Sequence, residues 1–227
     1  MKKKITRKQL LKEPDEFITF SGKMIQLGMQ YKTQLTYAVG IIVALMLVVS
    51  GYRFFAIRSE NKAHALLDRA VNQYQTALNG EDSKKAYQTA SEDFQLILNK
   101  YGSKQSGKLA RVIFANICFD AGEYKKAIEL YRQSLDDFKN DAFMNNLIHS
   151  DLGYAHEQLN EARLAVSYFE KIAESQEPIL RDEALFNLGM LYEKLGDQQK
   201  SSDAFKRIIS DHPDSMYIEI VKERSAG

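Results

Sequence analysis

Cysteine, proline and tryptophan are scarce in this sequence of 227 residues, which has one cysteine, three prolines and no tryptophan. The single cysteine, Cys118, excludes an internal disulfide and any multi-cysteine metal site. A lone cysteine inside a domain usually packs as a small hydrophobic residue. The small number of prolines, together with few alternating strand patterns, predicts that the chain is all helix after residue 55.

The sequence also lacks the common signatures of catalysis. It has no glycine-rich phosphate loop, HExxH helix, GxSxG elbow or CxxC pair. The formal net charge is only +1 and the basic excess lies in the N-terminal tail, so the rest of the chain has no basic stripe of the kind that binds nucleic acid. We therefore expect a protein that is not an enzyme, holds no cofactor or metal and does not bind nucleic acid.

One long apolar run is present at residues 33–52, bounded by Lys32 and Arg53. As a helix, such a run spans about 30 Å, the thickness of the hydrocarbon core of a bilayer. The residues that follow it offer no small-x-small cleavage site, which disfavours a cleaved signal peptide. We predict a transmembrane helix at residues 33–55. Aromatic residues near its two ends suit the membrane interface: Tyr31, Tyr37, Tyr52, Phe54 and Phe55.

The distribution of basic residues predicts the orientation of this helix. Eight Lys or Arg residues precede the run, and three lie in the ten residues that follow it. The positive-inside rule then predicts a cytoplasmic tail at residues 1–32 and export of everything after the span.

The end of the tail, residues 15–30, has the pattern of an amphipathic juxtamembrane helix. Its apolar stripe consists of Phe17, Phe20, Met24 and Leu27. A solvated lead-in is the alternative, because Gly22 and Gly28 weaken a helix.

A repeat of 36 to 38 residues occupies residues 108–213. The last copy, residues 184–213, carries Leu185, Leu188, Gly189, Tyr192, Gly196, Phe205, Ile208 and Pro213 at signature positions. The copy before it carries Leu152, Gly153, His156, Ala165, Phe169 and Ile172. The first copy carries Phe114, Ala115, Cys118, Gly122, Ala127 and Tyr131. This pattern resembles the tetratricopeptide repeat family. The resemblance implies that each copy is a pair of antiparallel helices and that the copies stack into a solenoid, for which three repeats are the usual minimum.

The predicted fold class is all-α, with a single N-terminal transmembrane helix followed by a tetratricopeptide-type helical-hairpin solenoid at residues 56–227. Within the solenoid we expect a degenerate pair at about 60–102, repeats at about 108–140, 146–177 and 182–213, and a capping helix at 214–224. His149 and His156 share one helix face, with Glu157 nearby. Both occupy repeat positions that hold large packing residues, so we expect them to pack rather than bind a metal.

In the family that the repeats resemble, the first helices of successive repeats line a concave groove. The matching positions here are Leu109, Val112, Asn116, Phe119, Asp120, Leu147, Ser150, Tyr154, Glu157, Gln158, Glu183, Phe186, Met190, Glu193 and Lys194. They predict an apolar and aromatic floor with acidic edges, suited to an extended or helical segment with apolar anchors and some positive charge. The alternative is that the first helical pair or the C-terminal helix covers part of this floor.

The order of the parts, a basic tail, one helix ending in Tyr52-Arg53-Phe54-Phe55 and then the repeats, resembles the bacterial YfgM-like family of ancillary subunits of the Sec translocon. The resemblance implies a single-pass protein of the bacterial inner membrane whose periplasmic repeats bind translocon subunits, periplasmic chaperones or exported polypeptides. An envelope scaffold in cell-wall or outer-membrane assembly or in the coordination of division is one alternative, and a cytosol-facing organelle receptor is another. The sequence is also compatible with assembly of the protein into a homo-oligomer.

Overall fold

The structure, a computed structural model, describes residues 16–80 and 82–225. In this part of the chain all regular structure is α-helical, which confirms the predicted all-α class. The helices are α1 Glu16–Gln30, α2 Lys32–Leu78, α3 Ser83–Tyr101, α4 Gln105–Asp120, α5 Tyr124–Asp137, α6 Ala142–Gln158, α7 Ala162–Ala173, α8 Arg181–Lys194, α9 Gln198–Asp211 and α10 Ile218–Ser225. Residues 1–15 of the predicted basic tail lie outside the described residues.

The chain divides into two compact units, Met1–Ile57 and Arg58–Gly227. In the first unit, the N-terminal part of α2 holds the apolar run. By length and composition α2 is long and apolar enough to cross a membrane. The large apolar side chains from Leu35 to Val49 are all 45–70% exposed, whereas the core helix of a soluble protein would bury them.

The second unit is a chain of antiparallel helical pairs. The C-terminal part of α2 shares a core with α3, and the pairs α4–α5, α6–α7 and α8–α9 follow, with α10 packed on α9. From α3 onward, each helix packs against the next one in the sequence, which is the nearest-neighbour packing of a helical repeat protein. The residues predicted for the degenerate pair thus form the end of α2 and all of α3.

Local sequence signals set the ends of the helices. Asp82, Asp141 and Asp197 are N-caps of α3, α6 and α9, and each side chain accepts a hydrogen bond from the backbone N–H three residues later. After α4 and α8 the chain turns through Gly122 and Gly196, which have φ angles of +78° and +79°. Glycine adopts this left-handed conformation without a steric penalty, which is why it often ends a helix.

Small residues in the first helix of each pair allow the second helix to pack closely. A Cβ atom added to Gly153 would lie 2.6 Å from the ring of Phe169, and one added to Gly189 would meet the ring of Phe205. Ala115 is fully buried at the same repeat position. Cys118 is also fully buried, and burial raises the pKa of its thiol to about 12, so it packs as a neutral hydrophobic residue as expected.

Candidate protein-binding groove

The residues predicted to line the groove lie on α4, α6 and α8, the first helices of the three repeats. Val112 is only 4% exposed and packs in the core between the helices, and Ser150 is buried as well. The expectation that these two side chains line an open surface was wrong, because the packing of neighbouring helices covers their face. In contrast, Leu109 is 42% exposed, and Asn116, Asp120, Gln158 and Lys194 are exposed.

Three carboxylates from three successive first helices act on one another in this groove. Asp120 lies on α4, Asp151 on α6 and Glu183 on α8, and the charges of Glu183 and Asp120 both act on Asp151. We call these three residues the acidic row. Among the described residues, no Lys, Arg or His side chain forms an ion pair with any of them. The groove therefore contains three neighbouring carboxyl groups that no basic side chain of the described residues pairs with.

Asp151 is the most unusual member of the acidic row. Its Oδ2 atom is inaccessible to solvent and has no hydrogen-bond partner. Burial, followed by the charges of Glu183 and Asp120, raises the pKa of its carboxyl group to about 7. A positive group placed beside this carboxylate would stabilise its ionised form.

Tyrosine hydroxyls form hydrogen bonds near the acidic row, and one of them holds Glu183. The Tyr154 hydroxyl donates to Oε1 of Glu183 at 2.7 Å and accepts from Nδ2 of Asn187 at 2.8 Å. The Tyr131 hydroxyl donates to Oδ1 of Asn116 at 2.7 Å. Burial is the main cause that raises the pKa values of both tyrosines, so both remain protonated donors.

Tyr74, near the end of α2, places a buried hydroxyl beside Asp120 at this site. This hydroxyl is inaccessible to solvent, and its hydrogen bond to Asp120 lowers the pKa of that carboxyl group against the larger, opposite effect of burial. Burial and then the charge of Asp120 raise the pKa of Tyr74, so it lies within electrostatic reach of the acidic row.

Sequence reasoning missed Asp151, Asn187 and Tyr74. Asp151 and Asn187 occupy the same repeat position, which holds the apolar Ile113 in the first copy. Polar residues at this position in the two later copies were the signal in the sequence that could have identified them. Tyr74 lies in the degenerate pair, where the repeat pattern is too weak to assign a face. Tyr131 was recognised only as a packing residue of the repeat signature.

The C-terminal segment covers the groove at the last repeat. The rings of Phe186 and Tyr217 stack with their centroids 4.4 Å apart. The Ser215 hydroxyl donates to Oδ2 of Asp182 at 2.6 Å, and Arg224 donates to Oε2 of Glu193 at 2.9 Å. The alternative that the chain covers part of its own groove therefore holds at α8. The more open part of the groove is on α4 and α6, where Leu109, Phe119, Leu147 and Tyr154 remain half-buried or exposed.

The two histidines pack as expected. His156 is buried, its ring stacks on Tyr168 with centroids 5.3 Å apart, and its Nδ1 lies 2.6 Å from Oε2 of Glu161. His149 lies 6.0 Å from the same Tyr168 ring, and burial, followed by the charge of Lys171, lowers its pKa to about 4. Within residues 16–80 and 82–225, no cluster of three or more His, Cys, Asp or Glu residues is arranged to hold a metal ion.

A large open cavity of about 870 Å³ lies away from the acidic row, between α2 residues Ala65 to Ala77, Gly80 and Thr89 of α3. Its lining contains none of the three carboxylates of the acidic row, so we place the candidate site at the acidic row.

Comparison with known proteins agrees with this fold. The tetratricopeptide repeat family model matches residues 183–215. A solved tetratricopeptide repeat protein from Parabacteroides merdae is similar in structure, with a TM-score of 0.54 and 14% sequence identity over 70% of this chain. This chain spans 58% of the length of that protein, and at such low identity the likeness shows the fold alone. No curated protein sequence matches the chain. The helical pairs described here thus form a tetratricopeptide-type solenoid.

Proposed function

We propose that this protein is a membrane-anchored adaptor without catalytic activity. The groove of its repeats binds basic segments of its protein partners. The observation that carries the proposal is the acidic row, whose three carboxylates come from three helices and have no basic partner among the described residues. Tetratricopeptide solenoids generally act in protein interactions, which supports the adaptor role.

Charge complementarity argues for a partner that presents lysine or arginine. A carboxylate that is partly removed from water gains most from an opposite charge that fits beside it, and coupling of close charge pairs across interfaces reaches about 1.5–7 kcal/mol. Asp151 supplies such a position, because its side chain is only partly buried and forms no ion pair with a basic residue among the described residues. The basic clamp by which cytosolic chaperone adaptors bind acidic peptide tails is missing here, which disfavours a partner with an acidic tail.

Apolar contacts beside the acidic row add binding energy. Leu109 is exposed, while Phe119, Leu147 and Met190 are half-buried on the three first helices. A segment that places apolar side chains on these residues and a basic side chain at Asp151 would use both features. Interfaces gain most of their energy from a few such anchors.

The exposed apolar part of α2 supports the membrane anchor, and the basic tail supports a cytoplasmic N-terminus. With the YfgM-like order of its parts, the protein would sit in the bacterial inner membrane and offer its groove to translocon subunits, periplasmic chaperones or exported polypeptides. An envelope scaffold would use the same groove with other partners. Digestion by an external protease in sealed vesicles tests the orientation, since exported repeats are protected only in inverted vesicles.

Crosslinking in native membranes tests the groove. A photo-crosslinking residue at Leu109 or Gln158 is expected to capture basic regions of partner proteins, whereas the same residue at Asp136, exposed on the second helix α5, serves as the control. Channel subunits, chaperones or exported chains would support the translocon adaptor. Cell-wall or outer-membrane assembly proteins would favour the scaffold, and equal capture at Asp136 would refute the groove.

A binding measurement tests the charge. The full chain in detergent is titrated with a peptide of alternating lysine and leucine and with its glutamate counterpart. We expect only the lysine peptide to bind, and the combination Asp120→Asn, Asp151→Asn and Glu183→Gln to abolish that binding.

The matched control removes the same charge elsewhere. Glu92→Gln, Asp136→Asn and Glu174→Gln neutralise three exposed carboxylates outside the groove. An equal loss in this control would show that only net charge matters, and the proposal of a specific site would then fail.

A further inference from the structure

We propose that α1 is an interfacial helix whose apolar face binds the surface of an anionic bilayer beside the N-terminal end of the span. The proposal rests on the membrane anchor proposed above and adds a second lipid contact to it. Its occupant is the lipid surface, not another protein.

The first argument is the exposed apolar face of α1. Its large apolar side chains are 49–67% exposed: Phe20, Met24, Ile25, Leu27 and Met29. At 100° per residue these positions fall within an arc of roughly 200° that contains no charged residue. The remaining arc carries Lys23, Gln26 and Gln30. An α1 left in water would expose a continuous apolar patch of a kind that soluble proteins rarely tolerate.

The second argument is the position of α1 in the chain. Only Tyr31 separates it from α2, whose apolar run begins at residue 33. The C-terminal end of α1 must therefore lie at the boundary of the hydrocarbon if α2 spans the bilayer. An amphipathic helix that starts at this depth buries its apolar face by lying in the interface, where lipid is the nearest apolar surface.

The third argument is charge. Residues 1–32 contain eight basic and three acidic residues, so the segment that includes α1 carries a net positive charge. Basic residues next to a span are attracted to the anionic lipids of the cytoplasmic leaflet, and this attraction declines within a Debye length of the surface. Charge and apolar face together favour a bilayer over an uncharged protein surface.

Spin labels on the full chain in anionic lipid vesicles test the proposal. Cys118 is buried and is replaced by Cys118→Ala, and single labels are placed through Met24→Cys on the apolar face or Gln26→Cys on the polar face. We expect the label at position 24 to be several-fold more accessible to oxygen, which partitions into lipid, than to a water-soluble nickel chelate. The label at position 26 should show the reverse.

A third label, through Leu45→Cys in the middle of the apolar run, separates the two proposals. Lipid exposure at position 45 with water exposure at position 24 would overturn the interfacial helix and leave the anchor intact. Water exposure at position 45 would overturn the anchor. If position 24 is shielded from both oxygen and the chelate, α1 is bound to protein, and the lipid proposal fails. Vesicles of neutral lipid are expected to weaken the lipid contact of position 24 but not that of position 45.

Discussion

Replacing Asp151 by asparagine is expected to stabilise the protein at pH 8 while it weakens binding to a basic partner. The carboxyl group has a pKa of about 7 in the folded protein against an ordinary value of 3.8, because it is buried beside Glu183 and Asp120. The folded protein therefore holds this proton over a pH range in which the unfolded chain has already released it. As the pH rises from about 4 to about 7, the free energy of unfolding falls. Above pH 7 it is lower by the full cost of ionising the buried carboxyl group.

The size of the effect follows from the pKa difference. Each unit of pKa difference corresponds to 1.36 kcal/mol, so ionising Asp151 in the folded state costs about 4 kcal/mol at pH 8. Asparagine removes this cost but adds a buried amide with incomplete hydrogen bonding, which costs about 1–2 kcal/mol. The charge effect is larger, and the net gain at pH 8 is about 2–3 kcal/mol, or roughly 5–10 °C in melting temperature.

Thermal unfolding of the full chain in detergent, followed by circular dichroism at pH 5 and pH 8, measures this gain. We expect the wild-type protein to be less stable at pH 8 than at pH 5 and Asp151→Asn to remove most of that difference. Asp136→Asn, on an exposed face, should change neither value. A loss of stability at pH 8, or an equal gain at both pH values, would refute the account of the buried carboxylate.

Three further predictions concern the framework around the groove. Glu60 accepts hydrogen bonds from the backbone N–H groups that begin α4 and from one serine hydroxyl. Glu60→Ala should therefore lower the free energy of unfolding in urea by about 1–2 kcal/mol. The control variant Asn61→Ala, at the exposed neighbouring residue, should be nearly neutral. Gly189→Ala should cost about 1–3 kcal/mol, because its methyl group meets the ring of the facing phenylalanine, and Gly80→Ala, with open space around it, provides the control. Cys118 should resist maleimide labelling in the folded protein and react after denaturation, because burial raises the pKa of its thiol to about 12. Rapid labelling of the native chain would contradict the burial of this residue in the core.

The sequence by itself determined the features that depend on local pattern. Twenty uncharged residues in a row are enough to predict a helix that can span a bilayer, because length and composition are read along the chain. Small residues such as Gly153 and Gly189, spaced at a regular interval, predict helical pairs that stack, because each pair buries its apolar face against its neighbours. The assignment of the groove to the first helices is implied by the resemblance to the tetratricopeptide repeat family and stays a prediction.

Only the tertiary structure decided which side chains meet. Asp120, Asp151 and Glu183 are 31 and 32 residues apart in sequence and interact because successive helices pack side by side. The burial of Val112 and the stacking of Phe186 on the C-terminal segment likewise depend on neighbouring helices. A repeat pattern specifies the framework shared by all copies, whereas burial and charge coupling arise from contacts between copies, where the individual residues differ.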